Sequence, residues 1–167
     1  MQAQWTALTA ADLDEVGRLS AALHPGLPER QAVFAEKIAL FPVGCRKLVR
    51  DGRLLGYGIT HPWRLDDIPA LDSFLAGLPS APDCLYVHDV AIDPRARGHG
   101  AAGHLIADLR ALATGQSLRK LACVSVYGTD VMWSRYGFRT RKVEALADKL
   151  AGYGESAKYM VADVESS

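Results

Sequence analysis

The chain has 167 residues, of which 49% are hydrophobic and 23% charged, a composition typical of an ordinary soluble globular protein. Its 19 basic and 19 acidic side chains give a formal net charge of zero. This balance argues against broad nucleic-acid binding, because displacing counterions from phosphates requires a basic surface. The length predicts one domain over residues 1–167.

The cysteines and the N-terminal residues indicate the cellular compartment in which the protein is expected. Cys45, Cys84 and Cys123 are odd in number and form no C-x-x-C pair, so we expect reduced, buried thiols without a disulfide or metal site. No basic region followed by an apolar run opens the chain, and no apolar stretch is long enough to span a bilayer. These features predict a cytoplasmic protein without a membrane partner.

The first half of the chain predicts a strand, two helices and a hairpin. A short strand at 4–8 is followed by a helix that Thr9 caps and that ends at Leu23, before His24-Pro25-Gly26. A second helix is predicted over 28–40, beginning at a proline that suits a first turn. Strands at 46–50 and 54–61 are joined by Asp51-Gly52, a strong hairpin signal.

The second half alternates strands and helices. A long irregular segment at 62–83, with a helical turn near 71–75, is of a kind that is usually functional or mobile. The elements predicted after it are a strand at 84–92, a helix at 100–113, a strand at 120–127, a short helix at 130–136 and a final strand at 157–164. This order predicts an α/β fold whose mixed sheet contains at least one crossover unit.

A glycine-rich turn lies between the strand at 84–92 and the helix that follows. The strand is ended by Pro94 and leads into Arg95-Ala96-Arg97-Gly98-His99-Gly100. Backbone N–H groups at a helix N-terminus, together with the helix dipole, suit a pyrophosphate, and glycines let the phosphates approach the backbone. The same letters also describe a plain tight turn. They are not the dinucleotide pattern G-x-G-x-x-G, and no acidic residue follows where ribose recognition requires one.

Two motifs together resemble the GNAT (GCN5-related) N-acetyltransferases. Residues 90–100 are similar to the family's central motif, V-x-P-x-x-R-x-x-G-x-G or close to it, and Trp133 to Phe138 match its C-terminal aromatic-x-x-x-G-F signature. The resemblance implies an acyl-CoA N-acyltransferase fold, with a central mixed sheet of six to seven strands flanked by about four helices. Homodimers, common in the family, are consistent with this sequence but not indicated by it.

The resemblance also implies acetyl-CoA as co-substrate, with no metal. Backbone amides from Arg97 to Ala101 are expected to cradle its pyrophosphate, and the strand edge at Val90 to pair with the pantetheine arm. The N–H near Val90 is expected to face the thioester carbonyl as an oxyanion stabiliser. For Val90 and Ile92, plain core packing is the alternative. The predicted cofactor-binding residues are Val90, Ala91, Ile92, Arg95, Arg97, Gly98, His99, Gly100, Ala101 and Trp133.

The implied mechanism is direct attack of a primary amine on the thioester, which requires a proton acceptor because such amines are protonated at neutral pH. His88 is the predicted base, and strand alternation places it on the same face as Val90. A lone strand histidine is otherwise often structural. Asp89 points the other way unless a bulge intervenes, and is the second candidate or holds a neighbouring group.

The predicted proton donor differs from the family pattern. Many members have a tyrosine where this chain has Trp133, and an indole cannot act as an acid at usable pH. Tyr127 is the candidate substitute, with departure of the thiolate without an acid as the alternative. Trp133 is then expected to pack against the thioester end of the cofactor.

The acceptor site is expected in the segment 62–83, where the family builds much of that site. Trp63, Asp66 and Asp67 suit a cationic amine, although aspartates in a loop can also serve only solvation. The predicted function is acetylation of a primary amine, most simply a small molecule. The alternatives are a peptide or protein amine as acceptor, and a non-catalytic acyl-CoA-binding regulatory module.

Overall fold

A seven-stranded mixed sheet with the order β1-β2-β3-β4-β5-β7-β6 forms the centre of the molecule, a computed structural model that describes residues 2–165. The strands are β1 Gln4–Ala7, β2 Cys45–Arg50, β3 Arg53–Trp63, β4 Cys84–Ile92, β5 Lys120–Ser125, β6 Arg139–Thr140 and β7 Lys158–Asp163. All neighbours pair antiparallel except β4 and β5, which run parallel. The predicted mixed sheet of six to seven strands is confirmed.

Helices cover both faces of this sheet. They are α1 Leu13–Leu23, α2 Gln31–Leu40, α3 Ala101–Gly115, α4 Asp130–Ser134 and α5 Ala147–Ala151. Among residues 2–165, no helix combines the length and the apolar composition that crossing a membrane requires. The short helix α5 was not predicted, and the segment 28–30 that the sequence assigns to the second helix stays non-helical.

The helices α1 and α2 pack on one face of the sheet, and α3 packs on the other. Val16 of α1 and Phe34 of α2 are buried against Tyr57 of β3. On the opposite face, Leu105 and Leu109 of α3 lie in one cluster with residues of β4 and β5. The site described below lies at the end of the sheet where α1, β4 and α3 come together.

The parallel strands β4 and β5 separate after a short contact. Their pairing runs only from Leu85 opposite Leu121 to Val87 opposite Cys123, whereas β4 continues to Ile92. The strand β5 ends at Ser125, two residues earlier than predicted, and the chain turns through Tyr127 with a φ of 53°. A gap therefore opens between the two strands beyond Val87.

A β-bulge in β4 changes the direction of its side chains. Ile59 pairs with Asp89 and Thr60 pairs with Val87, so His88 is an extra residue without a partner on β3. Two consecutive side chains then point to the same face of the sheet. His88 and Asp89 both face the α1–α2 side, while Val90 packs on the α3 side. The prediction that His88 shares a face with Val90 is wrong because of this bulge.

The segment that connects β3 to β4 lies against α2 without regular structure. The predicted helical turn near 71–75 is absent: Asp72 has a φ of 55° and Ala76 a φ of 64°, which no right-handed helix allows. Side chains of α2 and the residues before it hold this segment in place. Arg30 pairs with Asp72 at 3.1 Å, and Glu36 accepts hydrogen bonds from the N–H groups of Leu75 and Ala76.

Candidate active site

The free edge of β4 presents the backbone of Val90 to the gap. Asp93 donates its N–H to Leu55 O of β3 at 2.7 Å. Because the N–H and C=O of one strand residue share a side and alternate along the strand, those of Val90 and Ile92 point away from β3. Arg97 Nε donates to Ile92 O at 2.9 Å, at the open end of the gap.

The glycine-rich turn follows directly. Asp93 starts it by accepting the N–H of Arg95 at 2.9 Å, and the Arg95 guanidinium holds the pKa of this carboxyl at about 2. Gly98 and Gly100 adopt φ values of 83° and 76°, and a Cβ on either would meet nothing within 4 Å. The space beside the turn is therefore open at the start of α3. The first N–H groups of a helix have no partner within the helix, and such groups bind anions.

These elements surround a cleft of about 700 Å³. Among the predicted cofactor-binding residues, those that line the cleft are Val90, Ala91, Ile92, Arg97, Gly98, Gly100 and Ala101. Tyr127 lines it as well, with Met132 of α4. The cleft runs from the start of α3 along the free edge of β4.

Three predicted cofactor residues lie outside the cleft lining. Arg95 is paired with Asp93 at 2.9 Å and points to solvent. His99 lines a separate pocket of about 240 Å³ with Trp5 and Arg50. Trp133 is buried and packs edge-on against Phe138, with the ring centroids 5.0 Å apart.

A smaller pocket of about 70 Å³ adjoins the cleft. Both cavities are lined by His24, Val90, Thr129 and Met132. The smaller one adds apolar walls, including Leu71 and Trp133, and the polar side chains of Glu29, His88, Asp89 and Tyr153. The two cavities therefore adjoin at the four residues that line both, of which Val90 belongs to β4.

Glu29 and His88 form a buried pair in the smaller pocket. Their Oε2 and Nε2 atoms are 3.3 Å apart, and the side chains are 6% and 1% exposed. Burial alone would raise the pKa of Glu29, but the hydrogen bond and charge of His88, with the charge of Lys37, lower it. His88 Nδ1 is buried without a hydrogen-bond partner in the described residues, and its ring lies 5.7 Å from that of His61.

Asp89 lies beside this pair, on the same face because of the bulge. Tyr57 donates its hydroxyl to Asp89 Oδ2 at 2.8 Å, and His24 Nδ1 lies 3.4 Å from Oδ1. Burial raises the pKa of this carboxyl to about 7, and the charge of Glu29 adds to the effect. Asp89 can therefore change its protonation state near neutral pH.

His24 lies where the two cavities adjoin and lines both of them. It follows the last residue of α1, and its ring stacks on that of Tyr127 at 5.8 Å with an angle of 15°. The Tyr127 oxygen accepts the N–H of Gly26 at 3.0 Å, so its own O–H is free to donate. Burial lowers the pKa of His24, against the opposing effect of the Glu29 carboxylate.

Lys37 links the pocket to the segment between β3 and β4. Its side chain is fully buried, and Nζ donates to Ser73 O at 3.1 Å. Burial lowers the pKa of this ammonium group, while the nearby carboxylates of Glu29 and Glu36 oppose the shift. Lys37 thus offsets part of the negative charge that Glu29 brings into the protein interior.

The residues predicted to recognise the acceptor line neither cavity. Asp66 pairs with Arg141 at 2.6 Å, and Asp67 pairs with Lys149 at 3.3 Å. Trp63 packs in the cluster that contains Tyr86 and Tyr159, with Nε1 buried and unpaired in the described part of the chain. Their role in acceptor binding stays a prediction.

Sequence reasoning missed His24 and Glu29, which line the smaller pocket, and Lys37, whose charge lowers the pKa of Glu29. His24 follows the end of the predicted first helix, and Glu29 falls in the first turn of the helix predicted over 28–40, so neither position carries a functional signal in the sequence. The one available signal was the spacing in α2: Lys37 lies three residues after Phe34, and residues at that spacing share a helix face, so a lysine stands beside an apolar side chain. Within residues 2–165, no group of three or more metal-binding side chains occurs.

A sheet that splays beyond two parallel strands, beside a glycine turn at a helix N-terminus, defines an acyl-CoA-dependent acyltransferase fold. The model of the acetyltransferase (GNAT) family matches residues 14–138. The chain therefore belongs to the GNAT acetyltransferase family and is an acyltransferase enzyme. A comparison with curated protein sequences gives no significant match.

Solved structures share the fold at low sequence identity. Ard1 from Thermoplasma volcanium superposes with a TM-score of 0.75 at 15% identity, over 99% of this chain and 100% of that one. N-acetylglutamate synthase from Neisseria gonorrhoeae, with coenzyme A and N-acetyl-glutamate, gives 0.74 at 17% identity, over 99% and 36%. Arabidopsis thaliana Naa50, with the bisubstrate analogue CoA-Ac-MVNAL, gives 0.70 at 12% identity, over 100% of both chains.

Proposed function

We propose that this enzyme transfers an acetyl group from acetyl-CoA to a small primary amine by direct attack in a ternary complex. One observation carries the proposal: the cleft beside the glycine turn and the carboxylate-lined pocket meet at Val90. A donor in the first cavity and an acceptor in the second would bring their reacting atoms together at the free edge of β4.

The larger cleft suits acetyl-CoA. Amides from Gly98 to Ala101 and the Arg97 guanidinium would hold the pyrophosphate, and the edge at Val90 and Ile92 would pair with the pantetheine arm. The N–H of Val90 points into the gap and would stabilise the oxyanion that forms when the thioester is attacked. The structural neighbours whose descriptions name coenzyme A or a CoA analogue support this placement.

The smaller pocket suits a compact cationic amine. Glu29 and Asp89 supply negative charge, and apolar walls such as Leu71 and Trp133 limit the size of the group that enters. The neighbours do not decide the acceptor class, because one is described with an amino-acid product and another with a peptide analogue. The small volume of about 70 Å³ favours a small molecule.

Proton transfers complete the reaction. The acceptor ammonium must lose a proton before attack, and His88 and Asp89 are the predicted candidates for that step. Tyr127 is the candidate donor to the departing thiolate, because its O–H is free and the residue lines the cofactor cleft. Trp133 then acts as an apolar wall of the acceptor pocket.

The test is a panel of amines assayed for release of free CoA thiol from acetyl-CoA. It comprises small cationic primary amines, anionic amino acids and short peptides with free N-termini. We expect release with small cationic amines and little with the other two groups. Binding of acetyl-CoA without release for any amine would instead support a non-catalytic acyl-CoA-binding module.

The same panel tests the predicted role of the connecting segment. Replacing Asp66 and Asp67 together by Asn should lower the rate with cationic amines if these aspartates attract the acceptor. The Glu29→Gln variant should raise the KM for the amine and leave the Kd for acetyl-CoA unchanged. Loss of activity in the first variant and not in the second would move the acceptor site to the segment 64–83.

A further inference from the structure

His24 stands where a proton acceptor for the reaction is needed. It lines both cavities, whereas His88 lines only the smaller one. The His88 ring is enclosed, with Nε2 engaged by Glu29 and a side chain that is 1% exposed. The His24 side chain is 17% exposed and reaches the junction at Val90.

The surroundings of His24 arrange its two ring nitrogens differently. Nδ1 lies 3.4 Å from Asp89 Oδ1, so the carboxylate is placed to hold the ring and to stabilise an imidazolium. Tyr127 stacks on the ring at 5.8 Å and limits its rotation. With Nδ1 directed at Asp89, Nε2 is the nitrogen left for the cavities. A histidine oriented by a buried carboxylate is an established arrangement for a general base.

We propose that His24 is the general base of the reaction and that Asp89 is its positioning residue. This inference rests on the proposed function and adds a residue that sequence reasoning did not assign. The proposal also assigns a role to the bulge at His88, because the bulge turns the Asp89 side chain towards His24 at the end of α1.

The proposed reaction conserves protons and electron pairs. His24 Nε2 takes one proton from the acceptor ammonium, and the free amine attacks the thioester carbon to form the C–N bond. Collapse of the oxyanion breaks the C–S bond, and the second proton passes from nitrogen to the CoA thiolate, directly or through Tyr127. His24 then releases its proton to solvent, giving the amide, CoA thiol and one proton.

Four charged or titratable groups face His24. They are Asp89 of β4, Glu29 before α2, Arg97 of the glycine turn and Tyr127 after β5. The Arg97 charge opposes protonation of His24, and the pyrophosphate of acetyl-CoA would compensate that charge. The acidic limb of the rate profile should therefore lie at higher pH for the acetyl-CoA complex than for the free enzyme.

The test is the pH dependence of kcat/KM for the best amine of the panel. In His24→Gln we expect a loss of about 10²-fold at neutral pH and disappearance of the acidic limb. His88→Gln should raise the KM for the amine but keep that limb. His104→Gln, the same change at an exposed position of α3, serves as the control and should match the wild type.

Asp89→Asn separates orientation from base chemistry. It should lower kcat less than His24→Gln and move the acidic limb rather than remove it. His24→Asn, a second change suited to a helix end, guards against a folding defect in the Gln variant, and thermal unfolding checks both.

Two results would overturn the inference: a wild-type profile in both His24 variants, or loss of the limb in His88→Gln alone. In either case an active wild-type enzyme leaves the proposed function standing. A wild type that releases no CoA with any amine refutes both.

Discussion

Asp89 is a carboxyl group that the fold buries although water would favour its charged form. The bulge turns it inward, and Tyr57 and His24 contact its two oxygens at 2.8 Å and 3.4 Å. The same burial that suits it to hold a histidine also destabilises the folded state when Asp89 is ionised. A buried carboxyl group of this kind has a measurable effect on stability.

The stability effect has a defined sign. The folded-state pKa of about 7 lies above the ordinary aspartate pKa of 3.8, so between these pH values the folded protein keeps a proton that the unfolded chain has lost. The contribution of Asp89 to the free energy of unfolding is therefore greatest below pH 4 and is lost as the pH rises to about 7. Asp89→Asn should be more stable than the wild type at pH 8 by roughly 2–4 kcal/mol, relative to their difference at pH 4.

Urea unfolding of both proteins at pH 4, 6 and 8 measures this difference. Other groups titrate in both proteins and cancel in the comparison. A stability difference that stays constant from pH 4 to 8 would show that the Asp89 carboxyl has an ordinary pKa.

The glycine turn is the element for which the sequence makes its most specific functional prediction. Its two glycines adopt φ values that favour glycine, and both face open space at the start of α3. The signal is local because the turn, the strand before it and the helix after it are contiguous in the chain. Neighbouring residues alone therefore carry the information, and the family resemblance adds the identity of the ligand.

Gly98→Glu and Gly100→Glu should each abolish acetyl-CoA binding, because an anionic side chain would occupy the place of the pyrophosphate. Gly52→Glu is a matched control: Gly52 has a φ of 75° and also faces open space, but it lies in the hairpin between β2 and β3. It introduces the same backbone strain without touching the cleft. Calorimetric titration with acetyl-CoA compares the three variants, and equal affinities would refute the placement of the cofactor.

The segment between β3 and β4 positions Leu71 in the wall of the smaller pocket, the proposed acceptor site. Glu36 holds this segment by accepting two backbone N–H groups, at 2.6 and 2.9 Å. Glu36→Ala should release it and raise the KM for the amine several-fold, with little change in the Kd for acetyl-CoA. Asp163→Asn, which removes an exposed ion pair with Lys120, is the control. An unchanged KM would show that the segment does not shape the acceptor pocket.

Elements with strong periodic patterns were predicted well, and irregular ones were not. The strand β4 was predicted with its observed bounds, but His88 and Asp89 within it did not by themselves predict the bulge. Likewise, α5 is one turn and a half long and shows no periodicity. A bulge is defined by how β4 pairs with β3. The order of residues along β4 alone does not specify that pairing.

At the scale of the whole molecule, the proposed base and acceptor site are built from distant parts of the chain. Glu29 meets His88 across 59 positions of sequence, and His24 meets Asp89 only because α1 packs across β3 and β4. The proposed cofactor cleft is built mainly from residues that are contiguous in the chain, whereas the proposed acceptor pocket depends on tertiary packing. This difference explains why the predicted acceptor residues line neither cavity.

The gap between β4 and β5 is also the place where the two halves of the sheet are joined. Only three register pairs connect these strands, yet α3 packs against residues of both. We propose that residues 1–167 form one cooperative domain despite this narrow junction. Acetyl-CoA can test this proposal, because its proposed cleft is lined by residues from both halves of the sheet. Val90 belongs to β4, and Met132 and Tyr136 follow β5 in the chain.

Acetyl-CoA at 100 times its Kd should therefore raise the free energy of unfolding by about 2.7 kcal/mol in one transition. A single domain unfolds as a unit, so fluorescence of the tryptophans and far-ultraviolet circular dichroism should give the same midpoint with and without ligand. Desulfo-CoA, which has the same pyrophosphate but no thioester, is the control for effects of the thioester end. Two separated transitions, of which the ligand shifts only one, would show that the two halves of the sheet unfold independently at the β4–β5 junction.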